Sequence, residues 1–253
     1  MHPVETPSTW APRDRRHLPR PPSTGEAQLW LMSLDEPPWP PAQLHAVLDP
    51  AERERAARFH FPQHRERFAH GRGLLRHLLA HATGSDPSAL RFDNGPQGKP
   101  RLAHPFAQPD LDFNLSHSGA WALLALSDGA AVGVDIEWPR PVPELHAIAA
   151  RNFAPAEQAE LAALPGALAA DAFLAGWTRK EAFIKALGGG LSIPLDSFEV
   201  TLDPHSPARL LRVHDAAHPA HAFTLWAGRT PQGAWAAAVV RRSEAIVQTF
   251  SLG

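Results

Sequence analysis

The chain contains no cysteine, which excludes disulfide frameworks and thiolate metal centres. It has no apolar run near the roughly 20 residues that a membrane-spanning helix needs. Its N-terminus lacks the continuous apolar core of a secretory signal. A strong charge of either sign is also missing: 24 basic and 26 acidic side chains leave a formal net charge of −2. Nothing global therefore points to nucleic acid or to a membrane surface. A reducing cytoplasm fits these absences. The hydrophobic fraction of 44% and charged fraction of 20% are those of an ordinary soluble globular protein, and 253 residues suffice for one or two domains. Proline (27) and histidine (15) are abundant. An Ala/Pro/Arg-biased composition accounts for the histidines, which are not read as metal ligands.

In chain order, residues 1–25 are rich in Pro, Arg, Ser and Thr without periodicity, the pattern of a disordered leader. Residues 28–34 read as an edge strand, and helices follow over 41–48, 51–59 and 61–79. Leu74, Leu75, Leu78 and Leu79 form a core stripe, and the segment 84–87 ends the last helix. A short strand at 90–92 enters the turn-rich loop 94–100, where Gly98 and Lys99 bring free backbone and a cation to one place. Strands are expected over 111–116, 121–126 and 132–137. Asp128-Gly129 is a tight-turn signal that would join the last two as a hairpin. Helices over 145–152, 155–164 and 171–187 come next, the last closed by Gly188-Gly189-Gly190. The remainder alternates like an antiparallel sheet. The fold class is α+β, and the repeated order of helices then strands is compatible with a duplicated unit, residues 26–127 and 128–253.

The chemistry concentrates at 132–137. Val132, Val134 and Ile136 share one face of the strand, and Asp135 and Glu137 share the other. Neighbouring carboxylates repel unless a cation lies between them, and hard divalent cations prefer such ligands; a solvated polar face is the plain alternative. Ser116-His117-Ser118-Gly119, at a strand end, is a reasonable phosphate seat. On the helix 171–187, Phe173, Trp177, Phe183, Ile184 and Leu187 gather on one side, and Glu181 and Lys185 are neighbours on another. Either they form a surface ion pair, or they present a third carboxylate and a cation to Asp135 and Glu137. Lys180 falls inside the apolar arc and must snorkel, the commoner outcome, or find a buried partner. Physical reasoning reaches metal-assisted chemistry on a phosphoryl group and stops there.

Gly98-Lys99-Pro100, Asn114-Leu115-Ser116-His117-Ser118, the strand 132–137 and the segment 177–185 (Trp-Thr-Arg-Lys-Glu-Ala-Phe-Ile-Lys) occur in this order. The ordered set resembles the phosphopantetheinyl transferase superfamily, and Ser116-His117 with a full-length second half is similar to its monomeric, surfactin-synthetase-activator (Sfp) type. Segments 149–153 with Glu157, and 191–198, extend the likeness. The resemblance implies two similar α+β halves packed as a pseudo-dimer, with coenzyme A and Mg²⁺ in the cleft between them. It implies Asp135, Glu137 and Glu181 as metal ligands, and Glu181 as the base for a carrier-protein serine, directly or through a water. Lys185 would contact the transferred phosphate and assist departure of adenosine 3',5'-bisphosphate. Lys99 and Pro100 would lie near the adenine, and Arg55, Ser116 and His117 would hold the ribose phosphate. The partners implied are acyl or peptidyl carrier proteins of fatty acid, polyketide or nonribosomal peptide synthesis, with no nucleic acid and no membrane. Glu52 and Phe68 depart from the pattern near the ribose phosphate. Two other readings stay open: a non-catalytic protein that binds coenzyme A or carriers, and a metal-dependent nuclease using the same carboxylates.

Overall fold

A computed structural model describes residues 10–95, 97–108 and 110–253. The elements in order are β1 (Ala11–Arg13), β2 (Glu26–Ser33), α1 (Pro41–Ala46), α2 (Pro50–Ala57), α3 (Pro62–Thr83), β3 (Phe92–Asn94), β4 (Pro100–Leu102), β5 (Asp112–Ser118), β6 (Trp121–Ser127) and β7 (Val132–Glu137). They continue with α4 (Leu145–Asn152), α5 (Pro155–Ala163), α6 (Gly166–Leu187), β8 (Phe198–Val200), β9 (Leu210–Val213), β10 (Thr224–Arg229), β11 (Trp235–Val240) and β12 (Ile246–Leu252). The fold is α+β. No helix among the described residues is long and apolar enough to cross a membrane.

Two sheets stack between two sets of helices. One sheet has the order β1-β12-β2-β6-β5 and the other β10-β11-β7. Alternation along each strand divides its side chains between two cores. Leu29 and Leu31 of β2 join Leu123, Val132, Val134, Ile136, Ala236 and Ala238 in the layer between the sheets. Trp30 and Met32 turn the other way, onto Leu74, Leu75, Leu78 and Leu79 of α3. On the outer face of the second sheet, Ala237 and Val239 pack with Phe183 and Ile184 of α6. Both long helices, α3 and α6, run 22 residues. Both end on a left-handed glycine, Gly84 and Gly188, which closes the last turn without a Cβ penalty.

Several expectations are corrected. Strand β2 is central, between β12 and β6, and both of its faces are covered, with Leu29 to Met32 apolar on each. The Asp128-Gly129 turn does not close a hairpin: β6 pairs with β2 and β5, whereas β7 pairs with β11 in the other sheet. The turn hands the chain from sheet to sheet, and the Asp128 carboxylate fixes it by accepting from Gly25 N at 2.6 Å and from Arg242 at 2.7 Å. The disorder expected over residues 1–25 does not extend to residues 10–25. There β1 pairs with β12, Leu18 packs on the first core and Arg20 bonds the buried Glu26 at 2.9 Å. Residues 1–9 lie outside the described ones. Strand β12 was not expected. It lies parallel to β2, so the C-terminal segment completes the sheet of the N-terminal half.

Helix α6 lies on β7 because β7 has a glycine where they cross. A Cβ on Gly133 would collide with the backbone carbonyl of Ala182 and the backbone nitrogen of Ala186. Those are main-chain atoms, so relief requires moving the whole helix. We expect Gly133→Ala to destabilise the protein by about 1–3 kcal/mol or more, the usual cost of overpacking a filled interior. Urea unfolding would measure it, and a midpoint equal to that of the parent would show that α6 can shift freely.

Candidate active site

The close approach at Gly133 sets Asp135 against α6. Lys185 donates from Nζ to Asp135 Oδ1 at 2.7 Å and to Ser116 Oγ at 3.2 Å. Ser116 Oγ donates to the same Asp135 oxygen at 2.8 Å. The other carboxylate oxygen, Oδ2, is buried and has no hydrogen-bond partner. Two residues along, Glu137 Oε2 accepts from Arg140 at 2.7 Å and from Ser118 Oγ at 3.3 Å. Glu181, half-buried on α6, has no hydrogen bond or ion pair with any of the described residues.

The electrostatics follow from crowding. Desolvation raises the Asp135 pKa against the pull of Lys185 and Ser116, and Glu137 adds repulsion. Glu181 is also raised, first by burial and then by repulsion from Asp135 and Glu137, with Lys185 opposing. The three carboxylates expected to act together are thus close enough to sense one another. They are not drawn to a single point: among the described residues, the set of three His, Asp or Glu ligand atoms lying within 4.8 Å of one another is elsewhere. Lys185 and Arg140 occupy Asp135 and Glu137, doing for the carboxylates what a divalent cation would do. A buried carboxylate oxygen without a donor, with two further carboxylates close by, suits a hard cation.

Strand β5 holds this arrangement. Its alternate side chains close the free edge of β7 where a neighbouring strand would otherwise pair. Asp112 Oδ2 accepts from Val132 N at 2.8 Å, Asn114 Oδ1 from Val134 N at 2.9 Å and Ser118 Oγ from Trp138 N at 3.1 Å. Ser116 takes the intervening place and bonds Asp135. Lys99 tightens one end, donating to Asp112 at 2.6 Å and to the Val132 carbonyl at 2.8 Å. Lys99 and Pro100 also line a pocket of about 390 Å³ with Gly95, Arg101 and, from the end of α6, Leu187 and Gly188.

The remaining expected residues stand apart. His117 is exposed and, by strand alternation, on the opposite face of β5 from Ser116. Arg55 is exposed on α2 with its guanidinium 5.2 Å from the Phe68 ring. Neither side chain makes a hydrogen bond or ion pair among the described residues, so both are available to an anion. Glu52 is buried. It completes a capping box with Asp49 and accepts from Arg72 at 2.6 Å and Arg76 at 2.7 Å. Its departure from the family pattern therefore serves the packing of α2 on α3.

Two family models match the chain: the 4'-phosphopantetheinyl transferase superfamily over residues 131–240, and the N-terminal part of 4'-phosphopantetheinyl transferases over residues 38–128. The chain is 41% identical over 197 residues to the 4'-phosphopantetheinyl transferase HetI of Nostoc sp., covering 76% of this chain and 83% of that protein. It is 36% identical over 173 residues to the 4'-phosphopantetheinyl transferase Sfp of Bacillus subtilis, covering 64% and 75%. The chain belongs to the 4'-phosphopantetheinyl transferase superfamily. A human relative, named L-aminoadipate-semialdehyde dehydrogenase-phosphopantetheinyl transferase, is 32% identical over 165 residues, covering 62% of this chain and 53% of that protein. The likeness to Sfp expected from the motifs is present, and the protein is a transferase enzyme.

Sequence reasoning missed several residues of this transferase. Asp112 and Asn114 hold β7, Gly133 admits α6 and Arg140 neutralises Glu137. A signal for the first two existed: Asp112, Asn114, Ser116 and Ser118 alternate with apolar Phe113 and Leu115 and sit at one face. Three of their bonds, to Val132 and Val134 of β7 and to Trp138 just after it, span a constant separation of 20 residues.

Proposed function

We propose that this transferase moves the 4'-phosphopantetheine arm of coenzyme A onto a serine hydroxyl of an apo acyl or peptidyl carrier protein and releases adenosine 3',5'-bisphosphate, with Mg²⁺ as the working cation. The observation that carries this reading is the cluster of Asp135, Glu137 and Glu181 beside Lys185, with one carboxylate oxygen buried and unpartnered. Asp135, Glu137 and Glu181 would hold Mg²⁺, whose oxygen preference matches them. Once bound, the ion supplies charge neutralisation to pyrophosphate oxygens. Glu181 accepts the serine proton, directly or through a water, as its raised proton affinity and lack of a competing partner favour. The serine Oγ–P bond forms as the P–O bond to the adenosine bisphosphate breaks. Lys185 turns from Asp135 to the phosphate and stabilises the negative charge on the leaving group.

Lys99 and Pro100 form the wall of the pocket that takes the adenine. His117 and Arg55, free and exposed, hold the ribose phosphate. Ser116, whose hydroxyl is committed to Asp135, acts on that carboxylate instead of on the phosphate. The protein works as a cytoplasmic monomer of two related halves, residues 26–127 and 128–253, the second lending β12 to the sheet of the first, with coenzyme A between them.

The test is a transfer reaction with purified protein, apo carrier, coenzyme A and Mg²⁺, read by intact mass of the carrier. A phosphopantetheine-sized gain is expected, lost with EDTA and restored by excess Mg²⁺. An unchanged carrier mass under saturating coenzyme A, or a gain indifferent to EDTA, would refute the reading.

A further inference from the structure

The first half carries a second cluster of ligand atoms that takes no part in the site above. His45 lies on α1, and Glu66 and His70 lie one turn apart on α3. One ligand atom from each falls within 4.8 Å of the others. Glu66 Oε2 is 3.1 Å from His45 Nε2 and 3.6 Å from His70 Nε2. Ligands about 2.0–2.1 Å from a tetrahedral zinc stand about 3.4 Å from one another, a spacing these two distances bracket.

The His70 ring is held in place by its second nitrogen. His70 is 5% exposed, and its Nδ1 is 2.7 Å from the carbonyl of Leu34. A carbonyl only accepts, so Nδ1 carries the proton, and in the neutral ring Nε2 keeps a free lone pair 3.6 Å from Glu66 Oε2. A metal-binding histidine is oriented by the same kind of bond from its second nitrogen. Both Nε2 atoms, of His45 and His70, are buried without a hydrogen-bond partner. Two nitrogens without hydrogen bonds, both within 3.6 Å of one carboxylate oxygen, leave a place for a cation. Packing fixes their separation: a Cβ on Gly73 would lie 2.7 Å from the Leu44 carbonyl, so α1 presses on α3 with His45 following Leu44 in sequence, and the two rings stand 5.7 Å apart.

We propose that His45, Glu66 and His70 bind one Zn²⁺ with a solvent molecule in the fourth position, clamping α1 to α3. Two imidazoles and a carboxylate suit zinc in preference to Mg²⁺. The site shares no residue with the Asp135 cluster, and it stands whether or not the transfer reaction is as proposed.

The test uses the full chain freed of metal by chelation, with excess Mg²⁺ added to occupy the carboxylate site, titrated with Co²⁺ and then with Zn²⁺. One equivalent of Co²⁺ should give the intense visible bands of a tetrahedral or five-coordinate ion, which Zn²⁺ then removes, and Zn²⁺ should raise the melting temperature. His45→Ala and Glu66→Gln, both at partly exposed side chains, should each weaken binding by about a hundredfold or more and abolish the thermal shift. Each should leave transfer in Mg²⁺ at the parent rate. Absence of the visible bands in the parent, or Zn²⁺ affinity unchanged in both variants, would overturn the proposal. Should one variant fail to fold by circular dichroism, the other decides alone.

Discussion

Glu181→Gln should lower phosphopantetheine transfer by about a thousandfold, the range in which a positioned base acts, while the melting temperature stays level or rises. The two halves of this expectation share a cause. Glu181 has no partner among the described residues, and its pKa is raised by burial and by repulsion from Asp135 and Glu137. An amide of the same shape removes that repulsion and leaves no donor stranded, so the fold loses nothing. The same change deletes a ligand oxygen and the only atom proposed to take the serine proton. A group that costs stability and is retained beside two like charges is the mark of a functional site. Single-turnover transfer with excess enzyme, alongside thermal melts of both proteins, makes the measurement. Turnover within tenfold of the parent would remove Glu181 from the chemistry. A melting temperature several degrees lower would mean that the carboxylate has a structural partner after all.

How much of this could be read in advance depended on whether the cause was local. Strand β7 could be placed to the residue, because Val132, Val134 and Ile136 alternate with Gly133, Asp135 and Glu137 and nothing distant alters that period. Helix α6 was found for a similar reason, although it starts earlier than its strongly apolar portion. The failures share a different character. Asp128-Gly129 has the composition of a hairpin turn, but the bonds of Asp128 to Gly25 and Arg242 decide where the chain goes, and both partners are remote in sequence. Strand β2 read as an edge until β12 arrived beside it. The role of Gly133 is the absence of a side chain, visible only once a helix lies against it. The three ligands of the proposed zinc site are split between two helices, and composition alone made the histidines look incidental. The carboxylate set was legible because the family resemblance linked β7 to α6; periodicity gave each face separately but not their meeting.

Lys180→Met should unfold the protein at markedly lower denaturant, by about 3–5 kcal/mol, the cost of stripping one partner from a buried ion pair. Snorkelling was the commoner expectation for this lysine, and it does not occur: Lys180 is wholly buried. Its ammonium bonds Glu157 Oε2 at 2.7 Å, the Leu195 carbonyl at 2.8 Å and the Phe198 carbonyl at 2.7 Å, so each of its three donors has an acceptor. Glu157 is equally occupied, accepting from Ala154 N and Val200 N at 2.8 Å each. Desolvation lowers the lysine pKa and raises that of the glutamate, each opposed by the partner's attraction. Methionine fills the volume but leaves a buried carboxylate and two carbonyls without their donor. The double variant Lys180→Met, Glu157→Gln should therefore lose less than the sum of the two single changes, and the difference isolates the pair. Strict additivity in urea unfolding would show that the ion pair is not what holds the segment. The consequence reaches the active site, since Lys180 precedes Glu181 in α6 and ties that helix to α5 and to the 195–200 segment. In any fraction that still folds, α6 keeps its seat on β7 but loses its bonds to Glu157, Leu195 and Phe198. Transfer per folded molecule should then fall as well, through misplacement of Glu181 and Lys185 and not through any contact of Lys180 with substrate.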